Sequence, residues 1–275
     1  MKATFRHSMA FVCLVGLIAP TATRGDDASL RSRMQRRVYT NAQGESLPYR
    51  LFVPAKCKPK QRYPLIVFLH GAGERGSDNE AQLKHAEVLR FISDEVQAKH
   101  PCFLVAPQCP APSGKAESRD CRWATVYWGL EKPREISGPT KPMALTIELL
   151  DLLATQYPID PDRRYVTGLS MGGYGTFELC IFRPGDFAAG IPVCGGADAS
   201  KAKQIAHIAF WVFHGAEDRV VPAERSRLVV EGLKAAGANP RYTEYPGVGH
   251  NAWAKAYLEP ELVDWLFRQR RRAPH

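Results

Sequence analysis

Residues Tyr165 to Gly175 read YVTGLSMGGYG, and the fold is decided in this stretch. A β-rich run, Tyr165 to Thr167, leads into Gly168-Leu169-Ser170-Met171-Gly172, and a helical pattern follows. A strand, then G-x-S-x-G, then a helix is the layout of a nucleophile elbow. Such an elbow is a sharp, strained turn that exposes a serine hydroxyl above the end of a sheet. The glycines are needed because strand and helix come too close there for a side chain. The turn also sets Ser170 at a helix N-terminus, where the N–H of Met171 faces the place an oxyanion would form.

Outward from the elbow, short β-rich runs alternate with helical patterns. Tyr49 to Val53, Leu65 to Leu69, Phe103 to Ala106, Ile191 to Val193, Phe210 to Phe213 and Tyr242 to Tyr245 read as strands. Leu65 to Leu69, LIVFL, is continuously apolar, as a strand buried on both faces should be. Met143 to Gln156, Glu224 to Ala236 and Pro260 to Gln269 have apolar residues at helical spacing. The alternation predicts an α/β architecture, a mainly parallel sheet with helices on both faces. Functional residues then belong in the loops beyond the carboxyl ends of the strands. Pro107 to Pro142, rich in Pro, Gly and charge, reads as an excursion over the site and not as a second domain.

A serine hydroxyl needs a base to take its proton. His250, in the glycine-rich loop YPGVGHN after the last strand, is the candidate. His70 and His214 end apolar strand runs and read as shapers of their loops, a place near the site being open to both. The histidine in turn needs an acid to fix its tautomer. The loop after Phe213 offers Asp218 and its neighbour Glu217, and the D-x-x-V-P continuation favours Asp218. The order Ser170, Asp218, His250 is that of α/β-hydrolases and differs from the chymotrypsin and subtilisin orders. A second oxyanion donor is expected after an early central strand, where Leu69-His70-Gly71-Ala72-Gly73 stands. The N–H of Ala72 is the first choice and that of Gly73 the second. Glu74 and Arg75 either touch substrate or brace this loop. Gly73, Trp128 and Trp253 are candidate substrate contacts, core packing being the other fate of the two tryptophans.

The chain has 275 residues, 45% of them hydrophobic, which suits a single large domain. Lys2 and Arg6 precede the apolar run Met9 to Ala19 and the small residues Thr21 to Thr23, the layout of a secretory signal peptide. A membrane span needs about 20 apolar residues, so no stable anchor is expected. The predicted division is a signal peptide over 1–25, a polar linker over 26–37 and a catalytic domain over 38–272, in a secreted or periplasmic protein. Export leaves six cysteines beyond Cys13. Cys109 and Cys121 are the best pair for a bridge, buried free thiols being the alternative. The formal charge of +9 owes part to the signal segment and part to Arg268, Arg270, Arg271 and Arg272. No nucleic-acid motif accompanies these arginines, so no nucleic-acid partner is expected.

As a set, LHGAGERGSDN, VAPQCP, YVTGLSMGGYGTFE, PVCGGAD, FHGAEDRVVP and YTEYPGVGHNAW resemble one branch of the α/β-hydrolases. It is the secreted esterase branch labelled predicted peptidase or phospholipase/carboxylesterase-like, related to polyhydroxybutyrate-depolymerase-like and feruloyl-esterase-like enzymes. The resemblance runs from about Val38 to Leu266 and implies Ser170, Asp218 and His250 as the triad. The expected activity is hydrolysis of small-molecule or polymer-linked carboxylic esters through an acyl-enzyme, with no metal or organic cofactor. Acetyl or feruloyl esters of the plant cell wall fit this reading. The rivals are a peptidase or amidase using the same triad and a non-catalytic binding protein on the same fold.

Overall fold

A computed structural model describes residues 24–55, 57–58, 60–114, 119–125 and 138–273. Its centre is strand β3 (Tyr63–Leu69), in which every residue is buried. Leu65, Val67 and Leu69 enter one apolar cluster, and Ile66 and Phe68 the other. This is the two-residue period of a pleated strand expressed in a sheet covered on both sides.

The remaining strands are β1 (Gln35–Thr40), β2 (Ser46–Phe52), β4 (Phe103–Pro107), β5 (Ile159–Leu169), β6 (Ala189–Val193), β7 (Ala209–Gly215) and β8 (Arg241–Tyr245). They form one eight-stranded sheet in the order β1-β2-β4-β3-β5-β6-β7-β8. β1 and β2 run antiparallel at one edge, and every pairing from β4 to β8 is parallel. The helices are α1 (Arg24–Ser32), α2 (Asp94–Lys99), α3 (Lys141–Gln156), α4 (Met171–Phe182), α5 (Ala202–Ile205), α6 (Glu224–Ala235), α7 (Trp253–Ala256) and α8 (Leu262–Arg268). The face of Leu65 packs on residues of α3, α4 and α6, and the face of Ile66 on residues of α7, α8 and the 86–92 segment. Six of the seven predicted strand runs lie within observed strands, the seventh, Tyr49 to Val53, overruns β2 by one residue, and the three predicted helices appear as α3, α6 and α8.

Two differences stand out at the N-terminal side. Residues 26–37, expected as a linker, are ordered structure: α1 covers most of them and β1 begins at Gln35. Met34 between these elements is 1% exposed and belongs to the core, and β1 pairs along its whole length with β2. The strand was not foreseen because an edge strand with one wet face can carry Gln35, Arg36 and Arg37. Most of the predicted signal segment, 1–23, lies outside the described residues. Among the described residues, no helix is long and apolar enough to cross a membrane.

Candidate active site

Ser170 joins β5 to α4 with φ 54° and ψ −117°, a left-handed backbone that a residue with a Cβ rarely adopts. Its neighbours over-determine that turn. A Cβ on Gly172 would run into the Leu69 carbonyl, and one on Gly168 into the carbonyl of Gly172. The Ser170 N–H donates to Val193 O at 2.9 Å, which ties the elbow to β6. Ser170 stays half-buried at the end of the sheet.

His250 and Asp218 arrive from the loops after β8 and β7. His250 Nε2 lies 2.8 Å from Ser170 Oγ, and His250 Nδ1 lies 2.7 Å from Asp218 Oδ2. A carboxylate can only accept, so Nδ1 holds the proton and Nε2 is left to accept from the serine. The Asp218 side chain is fully shielded, whereas that of His250 is 19% exposed. Burial alone would raise the Asp218 pKa. Hydrogen bonds from His214, His250 and the Val221 and Val220 N–H groups outweigh it and hold the carboxyl well below its usual range. Glu217, the competing acid, is exposed, and its N–H ties the loop to Val248 O.

His214 and Cys194 stand behind the acid. His214 is buried, with Nε2 facing Val221 O at 2.9 Å and Asp218 Oδ2 at 3.2 Å, and Nδ1 facing Ser226 Oγ at 2.7 Å. The Cys194 thiol donates to His250 O at 3.3 Å and also meets the Asp218 carboxyl. Donor atoms of Cys194, His214 and Asp218 lie within 4.8 Å of one another, close enough for a metal ion. Their mutual hydrogen bonds already use these atoms, so the cluster serves as a support for the acid. Sequence reading set His214 aside as a loop shaper, and Cys194 carried no signal.

The loop after β3 runs beside the elbow, where a Cβ on Gly71 would meet the Leu169 side chain. Ala72 is half-buried and Gly73 is exposed with open space around it. Met171 is buried at the first position of α4, whose leading N–H groups have no partner within the helix. His70 braces the loop from below: it accepts from the Cys109 N–H at 2.9 Å, so its other ring nitrogen donates to Gly71 O at 2.6 Å. Burial lowers its pKa to about 4, which keeps the ring neutral. Arg75 donates to Ala72 O and Cys121 O at 2.8 and 3.3 Å, and Glu74 is buried against His85. Both members of the charged pair therefore brace the loop.

Trp253 is 9% exposed and stands edge-on to His250, with ring centroids 5.3 Å apart. Trp128 lies outside the described residues. Trp123, which the sequence marks only as one of the aromatics of the excursion, is fully buried and donates to His70 O at 3.0 Å, which anchors the excursion beneath the site. Cys109 and Cys121 are not bridged: both are buried free thiols. They are neighbours nonetheless, burial first and the proximity of Cys121 second pushing the Cys109 thiol up.

Comparison with known proteins identifies the family and the fold. Residues 40–211 match the family described as "Putative esterase". A poly(3-hydroxyoctanoate) depolymerase of Pseudomonas fluorescens is 29% identical over 170 residues, 56% of this chain and 55% of that protein. A probable feruloyl esterase C of Aspergillus oryzae is 25% identical over 74% of this chain and 67% of its own length. The chain spans only 28% of a poly(3-hydroxyalkanoate) depolymerase C from Paucimonas lemoignei. Among solved structures, a thermostable esterase superposes with a TM-score of 0.80 at 41% identity, covering 88% of this chain and 64% of that one. A feruloyl esterase module from Clostridium thermocellum, at 15% identity and TM-score 0.63, shares the fold, which is that of the α/β-hydrolases.

Proposed function

Because the chain belongs to this esterase family, we propose that it is a serine esterase that cleaves carboxylic esters through an acyl-enzyme. The observation that carries the reading is the unbroken line from Ser170 Oγ through His250 to Asp218, with contacts of 2.8 and 2.7 Å. His250 Nε2 takes the Ser170 proton as Oγ attacks the ester carbonyl. The oxyanion rests on the N–H groups of Met171 and Ala72, and the Asp218 carboxylate stabilises the imidazolium that forms. His250 then hands its proton to the leaving alcohol. Water repeats the sequence on the acyl-enzyme and frees Ser170.

Two finer points belong to the same proposal. Export of the protein is supported by the basic, apolar and small-residue segments of 1–25. Substrates of an exported enzyme of this kind are esters attached to polymers or released from them, acetyl and feruloyl esters among them. The related depolymerase and feruloyl esterase support that substrate class. The test compares hydrolysis of p-nitrophenyl acetate and of peptide anilides by wild type and Ser170→Ala, with fluorophosphonate labelling alongside. Ester cleavage and labelling that both vanish in the variant are expected. Faster anilide cleavage would make the protein an amidase, and activity retained without Ser170 would overturn the mechanism.

A further inference from the structure

The oxyanion loop and the base loop approach Ser170 from different strands, β3 and β8, and three side chains link them. Glu74 lies two residues past Ala72 and is only 4% exposed. Its Oε1 stands 3.3 Å from His85 Nε2. The indole N–H of Trp253 donates to His85 Nδ1 at 3.1 Å. An indole N–H can only donate, so Nδ1 is bare and the ring proton sits on Nε2, aimed at the Glu74 carboxylate. Burial works against that carboxylate's charge, but the His85 bond prevails and holds the Glu74 pKa below its ordinary value. The far face of this link is the catalytic base: Trp253 meets both His85 and His250 edge to face, at 5.0 and 5.3 Å.

We propose that Glu74, His85 and Trp253 form a strut that positions His250, fixing the imidazole at its hydrogen-bonding distance from Ser170. The proposal rests on the esterase reading above. Trp253 opens α7, so its backbone is set by the helix, and its indole, packed in the core, is tied by its N–H to His85. His85 in turn is held in a single tautomer by Glu74. The base therefore leans on a side chain that is tied to the oxyanion side of the site. The three are positioning residues, because none of them touches the reacting atoms.

The experiment is steady-state kinetics on p-nitrophenyl acetate, with turnover expressed per fluorophosphonate-reactive site so that unfolded protein does not count. Trp253→Phe keeps an aromatic ring but removes the pyrrole half with its N–H, and His85→Phe removes the acceptor. Each is expected to lower kcat about tenfold, the equivalent of one hydrogen bond, with KM within about twofold of wild type. The double variant should be no slower than either single one, since both break the same link. His85→Asn can still offer an amide oxygen to the indole and should recover most of the loss. Wild-type kcat in Trp253→Phe, or additive losses in the double variant, would overturn the strut. If wild-type protein itself fails to label at Ser170, the esterase reading has failed instead.

Discussion

His214 Nε2 lies 3.2 Å from Asp218 Oδ2, the oxygen that His250 Nδ1 reaches at 2.7 Å, so two imidazoles share one carboxylate oxygen. Both neighbours of His214 Nε2, Asp218 and the Val221 carbonyl, are acceptors, and that nitrogen must donate. His214→Leu should therefore free the acid to shift and lower kcat about tenfold to a hundredfold, since hydrogen bonds to charged groups contribute roughly 1.5–3 kcal/mol. Turnover per labelled site checks it, and a wild-type value would show that His250 and the backbone N–H groups suffice.

Asp218→Asn should preserve the fold and lower kcat on the order of 10⁴-fold, because an amide no longer dictates which nitrogen of His250 bears the proton. Circular dichroism together with kinetics separates this outcome from unfolding. A loss below tenfold would point to another acid.

Gly172→Ala and Gly73→Ala should behave oppositely. The first places a Cβ on the Leu69 carbonyl, and the second places one in open space. A forced backbone shift of about 3 kcal/mol or more should lower the melting temperature of Gly172→Ala by roughly 10 °C or prevent folding. Gly73→Ala should melt within about 2 °C of wild type. Differential scanning calorimetry decides.

His70 makes stability depend on pH. Its pKa in the fold is lowered to about 4 by burial, against an ordinary value near 6.5. Between these values the unfolded chain binds more protons, so stability rises with pH across the window and is lost as pH falls through it. Fully expressed, the effect amounts to roughly 3 kcal/mol. Urea titrations from pH 7 to pH 4 should show a shallower decline in His70→Gln than in wild type, and equal slopes would refute the assignment.

Thiol chemistry gives a further check. Among the described cysteines Cys57 is exposed, while Cys102, Cys109, Cys121, Cys180 and Cys194 are buried. A thiol reagent such as DTNB should modify the native protein at Cys57, and Cys57→Ser should abolish that reaction among these six. The buried five should react only after denaturation.

The sequence was most readable where one local rule has one solution. The elbow needs Gly168 and Gly172 around Ser170, and a buried parallel strand needs a run like LIVFL. The acid and base were found because their loops follow strands whose ends must converge on the elbow. Residues that act through long-range contact left no such mark. His85 sits in a polar stretch with no motif, and its role appears only when the 81–92 segment packs against α7. Cys194 and Trp123 look like ordinary core residues until the fold sets them against Asp218 and His70. β1 was hidden because its charged residues obey the chemistry of a sheet edge and not that of a core.

The basic C-terminal residues fold back on the opposite end of the molecule. The Arg271 N–H donates to Asp162 O at 2.9 Å, and its guanidinium reaches the Asp162 carboxylate at 3.0 Å. Asp162 stands in the irregular start of β5 and Ser170 just past its end, the regular stretch from Arg164 to Ser170 alone spanning roughly 20 Å at strand rise. Coupling the protein to a solid support through residues after Arg272 would therefore turn the catalytic mouth away from the matrix. An immobilised preparation made that way should admit even a bulky polymeric ester to Ser170.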